Sequence, residues 1–160
     1  MRYLRVETKC KLDGFEDVIE LLKKLPTETL KRAAIDRALL AATPPLIEAA
    51  KARVSVRTGA LRESIRAGRS KRRTTKTFRE MKVGPGWGFK GAAHGHLVEY
   101  GTGPRFDPKR PGRTFGAMPA RPFMRPAFDA TKHAMFAIIR YRLGVEATNS
   151  LRRLVRRRGW

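Results

Sequence analysis

The segment Met118–Ala130, with the sequence MPARPFMRPAFDA, marks the point where a Pro- and Gly-rich stretch gives way to a helical pattern. Its prolines fix φ and remove backbone donors, so the part before Pro126 is predicted to be a stiff, extended arm. Pro126 suits the first turn of a helix, and apolar residues then repeat at helical spacing as far as Ile139. No nucleophile, metal ligand or phosphate-binding glycine loop accompanies the arm. The sequence therefore predicts an arm that leads into a long C-terminal helix.

The charge of the chain is large and unevenly distributed. Its 160 residues include 36 Lys and Arg against 14 Asp and Glu, a formal net charge of +22. Residues 1–50 hold 9 basic and 8 acidic side chains, and residues 51–160 hold the remaining 27 and 6. Such a field destabilises a compact monomer unless something neutralises it. The composition therefore favours a polyanion or an acidic protein as partner.

The length, the N-terminal residues and the apolar runs of the sequence predict a one-domain protein without a membrane partner. A chain of this length fits one domain that buries its own core without a disulfide or a structural metal. Cys10 is the only cysteine and indicates a reducing compartment. The N-terminal residues are charged throughout, unlike a signal peptide, and no apolar run approaches the roughly 20 residues that a bilayer crossing needs.

The first half of the chain is predicted to be largely helical after a short strand. Arg2–Lys9 alternates apolar and charged residues, which is typical of a half-buried strand. Phe15–Leu25 and Thr27–Val54 follow helical spacing, with Thr27 as the expected cap of the second segment. At Thr43–Pro45 the prolines fit either one kinked helix or two helices that abut, with Thr43 as a candidate cap, and both remain open.

The remaining pattern completes an α+β prediction. Lys71–Gly86 reads as a strand, with the basic run Arg69–Arg73 at a hairpin tip. We expect a small antiparallel sheet packed by a long N-terminal helical region and a long C-terminal helix. A Pro/Gly/Arg loop without regular structure is expected over about 101–122, and loops of that length usually have a function. Residues 1–145 are predicted to form a single domain, followed by a basic C-terminal extension over 146–160.

The sequence offers little for catalysis or for a cofactor. His94, His96 and Glu99 form an H-x-H-x-x-E cluster whose residue types can bind zinc, iron or manganese. We favour instead a structural turn in which these are ordinary polar residues. Cys10 has no histidine nearby in sequence, and Gly84–Gly91 matches neither a phosphate loop nor a dinucleotide fingerprint. The sequence therefore predicts no enzyme, no catalytic residue, no metal, no cofactor and no small-molecule substrate.

The basic side chains are the remaining indication of what the protein binds. No zinc finger, helix-turn-helix or aromatic RNA-binding signature accompanies them, so any contact with nucleic acid is expected to be with phosphates and independent of sequence. The side chains expected to face DNA or an acidic partner are Arg66, Arg69, Lys71, Arg72, Arg73, Arg105, Lys109, Arg110 and Arg113.

Three stretches in a fixed order carry a resemblance. VRTGALRESI (Val56–Ile65), HGHLVEYGT (His94–Thr102) and the arm together resemble the neck, or tail-completion, family of long-tailed bacteriophages. The positions that match, and that the resemblance assigns to the family motifs and to contacts between subunits, are Thr58, Gly59, Leu61, Ser64, His96, Glu99, Tyr100, Gly101, Thr102, Pro119, Arg121, Pro122, Phe123, Met124, Arg125 and Pro126.

The resemblance implies a virion protein without enzymatic activity, made in the cytoplasm of the host bacterium. It implies a homo-oligomeric ring at the head–tail junction that joins the head-side connector to tail proteins of the same phage, with possible non-specific contact with packaged DNA. In that setting Phe123 and Met124 are expected to dock in a groove of a neighbouring subunit, while Arg121 and Arg125 meet carboxylates or backbone carbonyls. The alternative is that the arm packs on its own domain. A tail-terminator ring and a sequence-independent nucleic-acid-binding module are the alternative functions.

Overall fold

The computed structural model describes residues 16–25, 27–70, 79–86, 92–107, 109–110, 112–114 and 116–157. The predicted strand Arg2–Lys9, Cys10 and the basic residues Lys71, Arg72 and Arg73 lie outside these residues. Within them the fold is mixed helix and strand, so the α+β prediction is confirmed. The elements are α1 (Glu16–Lys23), α2 (Glu28–Ala41), α3 (Thr43–Arg53), α4 (Ala60–Ser64), β1 (Ile65–Arg69), β2 (Met81–Pro85), a 3-10 turn (Ala92–His94), α5 (Gly95–Tyr100) and α6 (Met124–Arg157).

The prolines after Thr43 separate two helices. The side chain of Thr27 accepts a 3.4 Å hydrogen bond from the backbone N–H of Leu30, which caps α2 as predicted. α2 ends at Ala41 and α3 begins at Thr43, so the helices abut across Ala42. The predicted cap at Thr43 is wrong. Thr43 lies inside the first turn of α3, and its hydroxyl donates a 2.8 Å hydrogen bond to the carbonyl of Leu40.

α6 is the element against which the first three helices pack. It is 34 residues long and contacts α1, α2 and α3. One apolar cluster joins its start to α3 and β1, and a second joins Leu143 to Val18 of α1 and Ala38 of α2. The helix begins at Met124, two residues before the predicted start at Pro126. The boundary predicted at residue 145 lies within this helix, and Ala147 beyond it is buried.

The sheet is a two-stranded antiparallel hairpin. β1 pairs with β2 in a register that runs from Ile65 opposite Pro85 to Arg69 opposite Met81. Ile65 is buried in the α3–α6 cluster, so one end of β1 is anchored in the core. The described part of the strand predicted over Lys71–Gly86 is therefore Met81–Pro85.

The Pro/Gly/Arg loop has more backbone order than the sequence indicates. Isolated antiparallel bridges pair Thr102 with Met118 and Phe106 with Thr114. The backbone N–H of Asp107 donates a 3.0 Å hydrogen bond to the carbonyl of Arg113. No helix or strand lies among the described residues of this loop, so the prediction of a loop is confirmed, and the isolated bridges are order that the sequence did not indicate. We call the described residues between Thr102 and Met118 the basic ribbon.

Candidate interaction site

Glu99 connects the second sequence motif to the start of α6. Its carboxylate accepts hydrogen bonds from the backbone N–H groups of Phe123 (2.7 Å), Met124 (2.9 Å) and Arg125 (3.2 Å). The first turn of a helix leaves N–H groups without intrahelical partners, and its dipole favours a negative charge there. Glu99 is only 4% exposed, and these bonds compensate for its burial. α6 therefore begins before Pro126 because a residue of α5 supplies the cap.

Gly101 and its neighbours hold the arm beside α5. Gly101 adopts φ +72°, and a Cβ at this position would lie 2.6 Å from the carbonyl oxygen of Met118 and 2.8 Å from the amide nitrogen of Ala120. Thr102 and Met118 exchange backbone hydrogen bonds of 2.9 and 3.1 Å, and the N–H of Arg121 donates to the carbonyl of Val98 at 2.8 Å. Residue 101 must therefore be a glycine, because a side chain there would prevent the arm from approaching the end of α5 this closely.

The first sequence motif packs against the other side of α5. Gly59 is the N-cap of α4 and adopts φ +77°, a conformation that glycine adopts more easily than other residues. Ser64 is buried, and its hydroxyl donates a hydrogen bond to the carbonyl of Leu61. The backbone carbonyl of Ser64 accepts a hydrogen bond from the N–H of Gly86. A Cβ on Gly95, at the start of α5, would lie 3.3 Å from Leu61. The structure thus brings the three motifs together around α5, while Thr58 and Tyr100 are exposed.

The apolar residues of the arm belong to the core of their own chain. Phe123 is 0% exposed, and Met124 is buried beside it in the cluster formed with α3 and β1. The expectation that these two side chains dock on a neighbouring subunit is wrong, because their own domain buries them. Arg121 contacts a hydroxyl, Ser55 Oγ at 3.4 Å, where a carboxylate or a carbonyl was expected. The side chain of Arg125 and the prolines Pro119, Pro122 and Pro126 are exposed.

The H-x-H-x-x-E cluster does not converge on a metal site in the structure. His94 and His96 are exposed, whereas Glu99 is buried and bound to three N–H groups. No group of three or more His, Cys, Asp and Glu side chains lies within metal-binding reach of one another among the described residues. The turn expected around His96 and Glu99 is the helix α5.

The predicted partner-facing basic residues fall into two places. Arg105, Lys109, Arg110 and Arg113 are exposed on the basic ribbon, together with Phe106, which is 71% exposed. The only acid of the ribbon, Asp107, accepts a 3.0 Å hydrogen bond from the backbone N–H of Lys109 and so fixes the turn. Arg66 is exposed on β1, and Arg69 lies at the end of that strand.

Sequence reasoning missed a cleft between α2 and the hairpin. The cleft has a volume of about 400 Å³, and its arginines are Arg32, Arg37, Arg69 and Arg79. Asp36 is buried in its floor, where its Oδ2 atom contacts Arg79 at 2.6 Å and Arg69 at 3.2 Å. The available signal was the helical spacing of Arg32, Asp36 and Leu40, which places them on one face of α2.

Comparison with known proteins identifies the family of the chain. No described helix combines the length and the apolar character needed to cross a bilayer. No curated protein and no solved structure matches the chain. A family model described as "Bacteriophage HK97-gp10, putative tail-component" matches residues 16–101, more than half of the chain. The match includes the first motif and Glu99 with Gly101, the residues that position the arm. The chain therefore belongs to the HK97-gp10-like family of bacteriophage tail components, which confirms the resemblance to tail-completion proteins of long-tailed phages.

Proposed function

We propose that this protein is a non-enzymatic structural subunit that forms a ring at the head–tail junction and joins the head-side connector to the tail. The observation that carries the proposal is the family match over residues 16–101. The structure supports it in a second way. The residues of the three motifs that position the arm and α4 are used to fold the chain around α5, which is a structural role.

The charge supports an assembled state rather than a free monomer. A net charge of +22 on each subunit multiplies in a ring and has to be balanced by packaged DNA or by acidic surfaces of neighbouring proteins. We propose that the basic ribbon, whose side chains Arg105, Lys109, Arg110 and Arg113 are exposed, contributes to this contact.

Locating the protein along the virion tests the proposal. We expect cryo-electron microscopy of particles to show a ring of this chain between the head and the tail tube. A phage that lacks the gene is expected to accumulate filled heads and separate tails of normal length. Tails of widely varying length would instead assign the chain to a tail-terminator ring, because a terminator stops tube growth. Particles that do not contain the chain would overturn the proposal.

A sequence-independent nucleic-acid-binding module is the second candidate. The observation that favours it is the exposure of four basic side chains and one aromatic ring on the ribbon, a combination that suits phosphate contacts and stacking. Tight binding to free duplex DNA by a chain that is absent from particles would support this candidate over the ring.

A further inference from the structure

Among the described residues, the cleft beside α2 has more positive than negative charge. Four guanidinium groups line it, and two carboxylates bind them: Asp36 contacts Arg69 and Arg79, and Glu146 contacts Arg37. The Nε atoms of Arg32 and Arg79 are buried and have no hydrogen-bond partner among the described residues. Buried donors of this kind normally have an acceptor. The cleft therefore presents arginines ready to bind an anionic group.

The rim of the cleft favours a protein as the source of that anionic group. Leu40 is 54% exposed at the rim, and Met81 lines the cleft from β2. Arginine and methionine next to an exposed aliphatic side chain is the composition of a protein interface. A phosphodiester strand would satisfy the arginines and leave Leu40 in water.

The exposed face of α1 has the complementary composition. Glu16, Asp17 and Glu20 are exposed, and Ile19, which lies between them in sequence, is 48% exposed. The other face of α1 is occupied, because Val18 packs in the cluster with α2 and α6. α1 therefore offers carboxylates around one apolar side chain, a composition complementary to the arginines and Leu40 of the cleft.

The two surfaces lie on opposite sides of α2. Ala38 of α2 faces the cluster that contains α1, whereas Arg32, Asp36 and Leu40 line the cleft on the other side. The α1 face of one subunit therefore cannot reach the cleft of the same subunit. Two different, complementary surfaces on one molecule form a head-to-tail contact, and such contacts close into a ring when the rotation between subunits allows it.

We propose that the cleft lined by Arg32, Arg37, Arg69 and Arg79 receives the exposed face of α1 from a second copy of this chain. The contact deepens the ring proposed above and rests on it. Carboxylates of Glu16, Asp17 and Glu20 bind the arginines, and Ile19 packs against Leu40 at the rim. Each subunit in the ring donates its α1 to one neighbour and receives α1 from the other.

Charge reversal in the phage tests the contact, with each variant supplied from a plasmid to a phage that lacks the gene. One variant carries Glu16→Lys and Glu20→Lys, the second carries Arg32→Glu and Leu40→Glu, and the third carries all four changes. We expect each of the first two to lower the yield of infectious particles at least about 10-fold, because like charges then face each other. The third variant places the introduced lysines opposite the introduced glutamates, while Arg37, Arg69 and Arg79 remain in the cleft, and it is expected to recover part of the yield. The matched control carries Glu48→Lys with Glu63→Lys, two exposed acids away from α1.

The outcomes separate this inference from the proposed function. If the wild-type chain is present in particles and the two-residue variants assemble like the wild type, the contact is wrong and the ring stands. Loss of yield in the cleft variant alone assigns the cleft to a different protein or to DNA and also overturns the contact. Loss of yield in both two-residue variants without recovery in the combined variant also overturns the contact, provided that circular dichroism melting shows that all three variants are folded.

Crosslinking gives a second measurement that does not depend on yield. Ile19→Cys and Leu40→Cys are introduced together into a chain that also carries Cys10→Ser, so that two thiols remain. Oxidation of purified particles is expected to give a ladder of covalent multimers on a non-reducing gel. A single monomer band from particles that contain the chain would overturn the contact.

Discussion

Glu99 is the residue on which the start of α6 depends. Glu99→Gln keeps the shape of the side chain and removes its negative charge and one acceptor, so a single oxygen remains for the three N–H groups that two oxygens accept in the wild type. We expect a loss of about 2–3 kcal/mol in the free energy of unfolding, the usual range for hydrogen bonds to a charged group. Urea denaturation measures it. Glu63→Gln, at an exposed position, is the control and is expected to change stability by less than about 0.5 kcal/mol. Equal midpoints for the two variants would contradict the role of Glu99.

Gly101 and Gly103 form a matched pair of positions two residues apart. Gly101→Ala places a methyl group 2.6 Å from the Met118 carbonyl oxygen at a positive φ, whereas a methyl group on Gly103 meets nothing within 4 Å. We expect Gly101→Ala to lower the melting temperature by several degrees, corresponding to about 2 kcal/mol or more of combined clash and backbone strain. Gly103→Ala is expected to leave it nearly unchanged. A small effect at both positions would show that the arm moves away from α5 without cost.

The arm is held to the core by one buried aromatic ring, that of Phe123. Phe123→Ala removes the largest fully buried side chain of the described chain and is expected to cost about 3–5 kcal/mol. Phe106→Ala removes the same side chain from the basic ribbon, where it is exposed, and is expected to cost less than about 0.5 kcal/mol. Guanidinium denaturation of the two variants checks both values. Similar losses for both would mean that the ribbon packs on the domain.

The sequence indicates the helices better than it indicates what begins and ends them. Helical spacing identifies α2 and α6, and the Thr27 cap follows from a side chain three residues from its partner. The start of α6 at Met124 depends on Glu99, about 25 residues earlier, and no local pattern contains that contact. For the same reason Phe123 looked like a residue for docking. Its apolar, proline-flanked context is the same whether the groove belongs to this chain or to a neighbour.

The candidate surfaces were predictable only in part. Exposure of the ribbon follows from its glycines, prolines and charges. The cleft cannot be predicted from the sequence in this way, because Asp36 and Arg79 are 43 positions apart and meet only when β2 folds beside α2. A long-range ion pair leaves no periodic trace in a single sequence.

The large positive charge of the whole molecule predicts that any binding to DNA weakens steeply as the salt concentration rises. If the ribbon contacts DNA, replacing Arg105, Lys109 and Arg110 with Gln is expected to reduce the slope of log affinity against log salt by about 0.9 for each lost phosphate contact. The control removes three basic side chains from other surfaces, at Lys51, Arg53 and Arg62. Fluorescence anisotropy with a labelled duplex between 50 and 200 mM salt, about the range over which such contacts weaken strongly, measures both slopes. Equal slopes for the two variants would show that binding has no preferred surface.

The hydrogen bonds between Thr102 and Met118 close the ribbon at its base, and Glu99 and Gly101 fix the chain on either side of that closure. The described residues distal to these bonds are mostly exposed. Lengthening a closed loop costs only about 0.6 kcal/mol for each doubling, so a short Gly/Ser insertion next to Lys109 should leave the unfolding midpoint almost where it was. The tip is thus the part of the molecule whose length can be retuned, by evolution or by design, to reach a new neighbour while the rest of the subunit stays as it is.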